Sequence, residues 1–308
     1  MKKLLAALSI LAVFLFSCQK EVSFDSPTNP GNGNPGNGNP GTGTTGDLLI
    51  KTVAVTGSET MTTVYAYDSQ KRLSTITIDG VSGGMQTHSF QKFGRDNAGR
   101  IIKVLQKLSD IGGVASDTAV KTIHYPNATT MDCDYSVHVM GMSVGQGLPS
   151  MQTIDSTVYH YSTGKISSYD SYMSSSLMPG MIMMNSKYDF AYDAQNRVAD
   201  MKMYTDIANP GGPQDLMIEW KYTYGSTVNG VYSSSNASQN LLLNGLPNTG
   251  TSNIDKMVMT STDAQMDLTI ITTYVLGSNG KPATGTAVST TTGQQNGTQT
   301  TNYTFFYQ

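Results

Sequence analysis

The sequence predicts an all-β protein: an antiparallel β-meander of consecutive hairpins, one large twisted sheet curling into a shell or barrel. Three observations predict it. Aromatic residues recur at alternate positions, in Tyr65 and Tyr67, Tyr159 and Tyr161, Phe190 and Tyr192, Tyr222 and Tyr224, and Tyr303, Phe305 and Tyr307. That spacing puts the rings of each group on one face of a strand. Ser, Thr and Val fill the positions between them and favour strands. A polar turn motif recurs between the strands, and helical periodicity nowhere persists beyond a turn or two. Charged residues make up 13% of the chain, against about 25% in an average soluble domain. Ser, Thr, Gly, Asn and Tyr fill the gap, as in many exported β-proteins.

The chain divides into three segments: a leader (1–17), a tether (18–46) and a single β-rich domain (47–308). Lys2 and Lys3 precede an apolar run from Leu4 to Phe16. At about 13 residues this run has the length and order of a secretory signal, while a membrane-spanning helix needs about 20. It ends Leu15-Phe16-Ser17-Cys18, which resembles the bacterial lipobox. The resemblance implies cleavage before Cys18 and acylation of its sulfur and of the new N-terminus. The next residue is Gln19, not Asp, followed by Lys20 and Glu21. That stretch resembles the export signal of Bacteroidetes lipoproteins. It implies an outer-membrane location, at the cell surface or otherwise on the periplasmic face.

From Pro27 to Gly46 the unit Asn-Pro-Gly-Asn-Gly repeats. Gly is costly to order, Pro removes a donor and nothing apolar is present to bury. The stretch reads as a spacer with a typical reach of about 30 Å. Without Lys2 and Lys3 the chain keeps 17 basic against 22 acidic residues, a net charge of −5. An acidic chain without clustered Lys and Arg predicts no nucleic-acid partner. The membrane is the expected partner through the lipid anchor, together with a glycan or an envelope protein.

Within the domain, Tyr67-Asp68-Ser69-Gln70-Lys71-Arg72-Leu73, Arg95-Asp96-Asn97-Ala98-Gly99-Arg100-Ile101 and Tyr192-Asp193-Ala194-Gln195-Asn196-Arg197-Val198 share one pattern. Tyr161-Ser162-Thr163-Gly164-Lys165-Ile166 is a copy one residue shorter, and Leu276-Gly277-Ser278-Asn279-Gly280-Lys281 is a degenerate one with Pro282 in the apolar place. A strand ends in Tyr, and Asp starts a turn by accepting freed backbone N–H groups. Gly or Asn takes the position of positive φ, and a basic residue precedes the return strand. The spacing predicts turn chemistry for Asp68, Arg72, Asp96, Gly99, Arg100, Gly164, Lys165, Asp193, Asn196 and Arg197. The Asp–Arg pairs are expected to contribute under about 1 kcal/mol each if exposed. The pattern resembles the YD repeat of Rhs-type proteins, and more closely Bacteroidetes lipoproteins of unknown function with YD-like hairpins. The resemblance covers Asp47 to Gln308 loosely and implies hairpin geometry, not an activity. About 260 residues suit one β domain, here of roughly 10–14 strands. Longer inserts are expected at 141–150, 174–184, 209–213 and 233–252, and a short helix near Asn240 or Asp255.

No catalytic constellation is legible, so no enzyme and no cofactor are predicted. The four histidines lack zinc-ligand spacing, and there is no nucleophile elbow or phosphate loop. With Cys18 committed to lipid, Cys133 has no disulfide partner and reads as a small buried hydrophobe. The 18 methionines are unusual. His138, Met140 and Met142 share one strand face, and thioethers bind Cu(I). Methionine also fills irregular cores. The 17 tyrosines either grip a sugar or protein partner or line the core. The leading expectation is a non-catalytic, lipid-anchored envelope module presenting a β-sheet surface to a glycan or protein. Metal or small-ligand binding through the Met/His cluster is the alternative, and an enzyme with an unrecognised site is a third. A transmembrane barrel is disfavoured because lipid-facing apolar alternation is thin.

Overall fold

The computed structural model describes residues 48–82, 85–107, 118–142, 151–176, 178–206, 212–228, 241–242, 252–262, 266–293 and 296–308. Cys18 and the tether lie outside the described residues. The domain is a closed antiparallel barrel of sixteen strands in which neighbours in sequence are neighbours in the sheet. In chain order the strands are β1 (Leu49–Thr56), β2 (Glu59–Tyr67), β3 (Leu73–Ser82), β4 (Met85–Arg95), β5 (Ile101–Lys107), β6 (Thr118–His124), β7 (Tyr135–Met142) and β8 (Met151–Ser162). They continue with β9 (Lys165–Ser175), β10 (Met178–Tyr192), β11 (Val198–Thr205), β12 (Asp215–Val228), β13 (Ser252–Ser261), β14 (Met266–Leu276), β15 (Pro282–Gly293) and β16 (Gly297–Tyr307). β1 pairs with β16 and closes the sheet, so no edge strand is left unpaired.

Sixteen strands exceed the expected 10–14. Residues 174–184 were expected to form an insert, but 174–175 and 178–184 instead lengthen β9 and β10. Pro179 and Gly180 punctuate that stretch, yet β10 begins at Met178 and stays paired with β9 through bulges between Met178, Ile182 and Met184. Asp255 lies in β13, not in a helix. Leu241 and Leu242 are helical, and both pack on the core. Of the inserts expected at 141–150, 209–213 and 233–252, Gly141 and Met142 end β7 and Ser252 begins β13, while 143–150, 209–211, 233–240 and 243–251 lie outside the described residues.

Alternation along the strands separates two walls. Facing inward, Phe190, Met201, Trp220, Met259 and Leu268 stand opposite one another across five successive strands, all buried. A second inward row runs Tyr159, Tyr169, Tyr188, Met203 and Ile218. Between these residues, Asp200, Lys202, Glu219 and Lys221 point outward. The paired aromatic residues named above all contribute to the core or pack against it, apart from Tyr224 and Tyr303. The tyrosine pattern is therefore mainly a core pattern.

The connections β2–β3, β4–β5, β8–β9, β10–β11 and β14–β15 all fall at one rim. Leu48 and Gln308 are there too, exchanging backbone hydrogen bonds of 3.1 and 2.9 Å. Just inside this turn rim, Leu49, Leu73, Ile101, Cys133, Ile166 and Val198 form an apolar ring, and Ile101, Cys133, Ile166 and Val198 are 0% exposed. The ring belongs to the core cluster that Leu242 joins. A sixteen-stranded porin keeps an aqueous lumen; here this end is packed with apolar side chains.

Candidate functional site

The turn rim is built from a repeated loop. The Asp68 N–H donates to the Arg72 carbonyl and the Lys71 N–H to the Asp68 carbonyl, both at 2.9 Å. The Asp68 carboxylate accepts from the N–H groups of Gln70 and Arg72 and from the Arg72 guanidinium at 2.7 Å. Asp96 with Arg100, and Asp193 with Gln195 and Arg197, repeat the arrangement. Lys71, Gly99, Asn196 and Gly280 take the left-handed position at φ 59°, 84°, 63° and 72°. A bulge sits at the base of each turn, as in three-residue hairpins. Thr163 and Gly164 make the shorter two-residue turn, at φ 51° and 74°, with Ser162 paired to Lys165.

Three of the basic residues then reach the next turn. The Arg72 guanidinium packs where a side chain on Gly99 would stand. Arg100 donates to the Asn127 and Thr130 carbonyls, and Lys165 to the Asn196 side chain. Burial works to raise the Asp68, Asp96 and Asp193 carboxyls. The hydrogen bonds from the Arg backbone and guanidinium outweigh it and hold all three below the ordinary carboxylate range.

A group whose folded pKa is depressed stabilises above its unfolded pKa, near 3.9 for Asp, and loses that contribution as pH falls through the folded value. The stability gap between wild type and Asp193→Asn in urea unfolding is therefore expected to be flat above about pH 5 and to shrink below about pH 4. A gap that stays constant through that acid range contradicts the assignment.

A second periodic device ties each hairpin to itself. The hydroxyls of Tyr67, Tyr125, Tyr161, Tyr192 and Tyr224 donate to the carbonyls of Leu49, Ile101, Cys133, Ile166 and Val198 at 2.6–2.8 Å. β4 ends in Arg95 instead, and its guanidinium donates to the Leu73 carbonyl at 3.2 Å. The ring of Tyr125 lies under Arg100 at 4.5 Å and that of Tyr224 under Arg197 at 4.6 Å, both within cation–π range. Sequence reading missed this contact. Its signal was present: in four of the five tyrosine pairs, Tyr follows the ring residue by 24–28 positions.

Farther from the turn rim the inner wall becomes polar. Ser136, Thr157, Ser171, Ser186 and Thr205 form a row of small hydroxyls across β7–β11. Beyond it runs Lys121, His138, Asp155, Met173 and Met184, each opposite the next. Ser171 donates to Asp155 at 2.5 Å, and Ser136 pairs with the Tyr159 hydroxyl at 2.9 Å. His138 Nε2 is buried without a hydrogen-bond partner. Burial, and then the Lys121 charge, push the His138 pKa down to about 3, so the ring is neutral at physiological pH. Met140 shares its face; the Met142 side chain lies outside the described residues. Lys121, Asp155, Met173 and Met184 were not read from the sequence, because only strand register places them beside His138. Among the described residues, no three His, Cys, Asp or Glu side chains are grouped to hold a metal.

The outer wall is charged at mid-strand across β10–β12. Lys187 pairs with Asp189 at 2.9 Å, Lys202 with Glu219 at 3.2 Å, and Lys221 with Glu219 at 2.7 Å. His88 with Asp79 and His160 with Asp170 continue the polar wall on β3–β4 and β8–β9. Across β14, β15 and β16 the outward residues are mostly Thr, Val and Ile, with Ile271, Val275 and Val288 exposed.

No protein-family model and no curated protein matches the chain. Among solved structures, it is similar to a porin-like protein from Bacteroides vulgatus ATCC 8482, with a TM-score of 0.50 at 12% identity, over 85% of this chain and 98% of that one. A porin-like protein from Bacteroides uniformis ATCC 8492 gives a TM-score of 0.46 at 13% identity, over 83% of this chain and 96% of that one. The first likeness is one of fold: a closed β-barrel, compatible with an outer-membrane protein.

Proposed function

We propose that the protein is a non-catalytic envelope module, a barrel bathed in water and held at the outer membrane by acylated Cys18, not embedded in the bilayer. The polarity of the two walls carries this reading. A membrane barrel presents an apolar band about 25 Å tall to lipid, and a basic residue at mid-depth costs about 2–4 kcal/mol. Here Lys187, Asp189, Asp200, Lys202, Glu219 and Lys221 occupy that position, while Trp220, Phe190, Met201, Met203 and Met259 face inward. The fold shared with a porin-like protein supports a non-enzymatic barrel of the envelope.

The partner surface on this reading is the outer arc of β14–β16, which Asp267 alone charges among the described residues. It favours an envelope protein over a glycan, because most described tyrosines that would stack on sugar rings are turned inward. Cys18→Ala is expected to move the folded protein from the membrane fraction of its host to the detergent-free soluble fraction. A Cys18→Ala protein that still pellets with membranes and needs detergent for extraction would refute the tethered reading in favour of an embedded barrel.

A further inference from the structure

We infer that a cleft at the mouth opposite the turn rim, built on β16, β1 and β2, binds one uncharged sugar ring. Its volume is about 260 Å³, under the roughly 300–1,000 Å³ of sites for drug-sized ligands, so the ligand is small. Strand register builds the cleft from three adjacent strands. Ala54 on β1 stands opposite both Tyr303 on β16 and Met61 on β2. Tyr303 and Met61 therefore form side walls about 10 Å apart, with Ala54 as the floor between them. In the next inward-facing row Thr56 stands opposite Thr301 and Glu59, and the Thr56 and Thr301 hydroxyls are 2.7 Å apart. Gln299, two residues from Thr301, completes the polar side.

The small side chain of Ala54 opens the space. On its other flank Tyr303 stands opposite Gly285. A Cβ there would meet the ring of Tyr274 at 3.2 Å and that of Phe305 at 3.4 Å, so that flank is filled. Tyr303 is also a ring that the core leaves out. Tyr224, the other such ring, is engaged by the Val198 carbonyl and by Arg197. Tyr303 stacks on Phe305 at 6.1 Å and lines the cleft. A sugar ring offers an apolar face to a flat aromatic side chain and hydroxyls at its edge. Two hydroxyls, an amide and a carboxylate supply donors and acceptors for that edge. No Lys, Arg or His lines the cleft, which excludes the cationic fork or point charge that recognises an anion.

The cleft lies apart from both the lipid anchor and the outer arc of β14–β16, so it stands or falls on its own. The test is saturation-transfer NMR of the full-length protein in a sugar-free detergent, with the methyl glycosides of glucose, galactose and mannose as probes. At least one is expected to bind saturably, with a Kd of about 1 mM or tighter for a ligand of this size. Ala54→Leu, which fills the floor, and Gln299→Leu, at an exposed position, are each expected to weaken it at least about tenfold. Val288→Thr, on the outer wall, is expected to leave it unchanged. An unchanged urea midpoint confirms that each variant is folded. No saturable binding of any glycoside below about 10 mM, equal affinity in a folded Ala54→Leu or Gln299→Leu protein, or tighter binding of choline than of every glycoside overturns the site.

Discussion

Trp220→Ala is expected to cost about 3–5 kcal/mol of unfolding free energy, the range for deleting a large buried ring. Trp220 is 3% exposed. It stands between Met201 on β11 and Met259 on β13, in the row that runs from Phe190 to Leu268. Strand pairing on both sides holds the backbone, so the wall cannot collapse into the space. Against a total stability of about 5–15 kcal/mol for a typical domain, such a loss approaches unfolding. Urea denaturation followed by far-UV dichroism measures it. A cost below about 1.5 kcal/mol would mean that the interior is wet and loosely packed, as in a pore.

The second large effect is expected at Asp96. Its carboxylate accepts from the Arg100 N–H at 3.0 Å and from the Arg100 guanidinium at 2.7 Å. Arg100 is only 12% exposed and is fixed over Tyr125 by its bonds to Asn127 and Thr130. Asp96→Ala removes the counter-charge and the turn-closing acceptor while the guanidinium stays in place. Breaking a largely buried pair from one side costs about 2–4 kcal/mol. The equivalent loss at Asp68 is expected to be smaller, because Arg72 is 35% exposed and water compensates it. Asp193, whose Arg197 is 18% exposed, falls between them. Urea midpoints of the three Asp→Ala variants check the order. Equal effects would show that the turn hydrogen bonds, not burial of the guanidinium, set the cost.

Turn chemistry and alternation were legible because both are local. The left-handed position at Gly99 and Asn196 and the Asp-to-Arg spacing of four residues are properties of a few consecutive residues. Period two put Tyr65 with Tyr67, and Tyr159 with Tyr161, on one face, and the structure turns that face to the core. Strand length was less legible, since Pro179 and Gly180 look like loop punctuation while β10 absorbs them in bulges beside β9. Curling into a shell or barrel was legible, but closure itself stayed open, because nothing in Leu49 or Tyr307 announces that they pair. The row from Lys121 to Met184 was hidden for the same reason, because its members lie on five strands and only register brings them together. Arg95 in the place of a tyrosine shows the limit of motif reading. A guanidinium reaches the Leu73 carbonyl as a phenol does elsewhere, so the contact is kept where the letter is lost.

Leu48 and Gln308 exchange a pair of backbone hydrogen bonds where β1 meets β16. The two positions are therefore close enough to be joined by a short linker without disturbing the wall. A circular permutant, opened at Gly57 between β1 and β2, should close into the same cylinder with its new ends at the opposite mouth. The same adjacency means that a fluorescent tag fused after Gln308 would sit beside the start of β1 and, on the tethered reading proposed above, would report how near that mouth lies to the lipid.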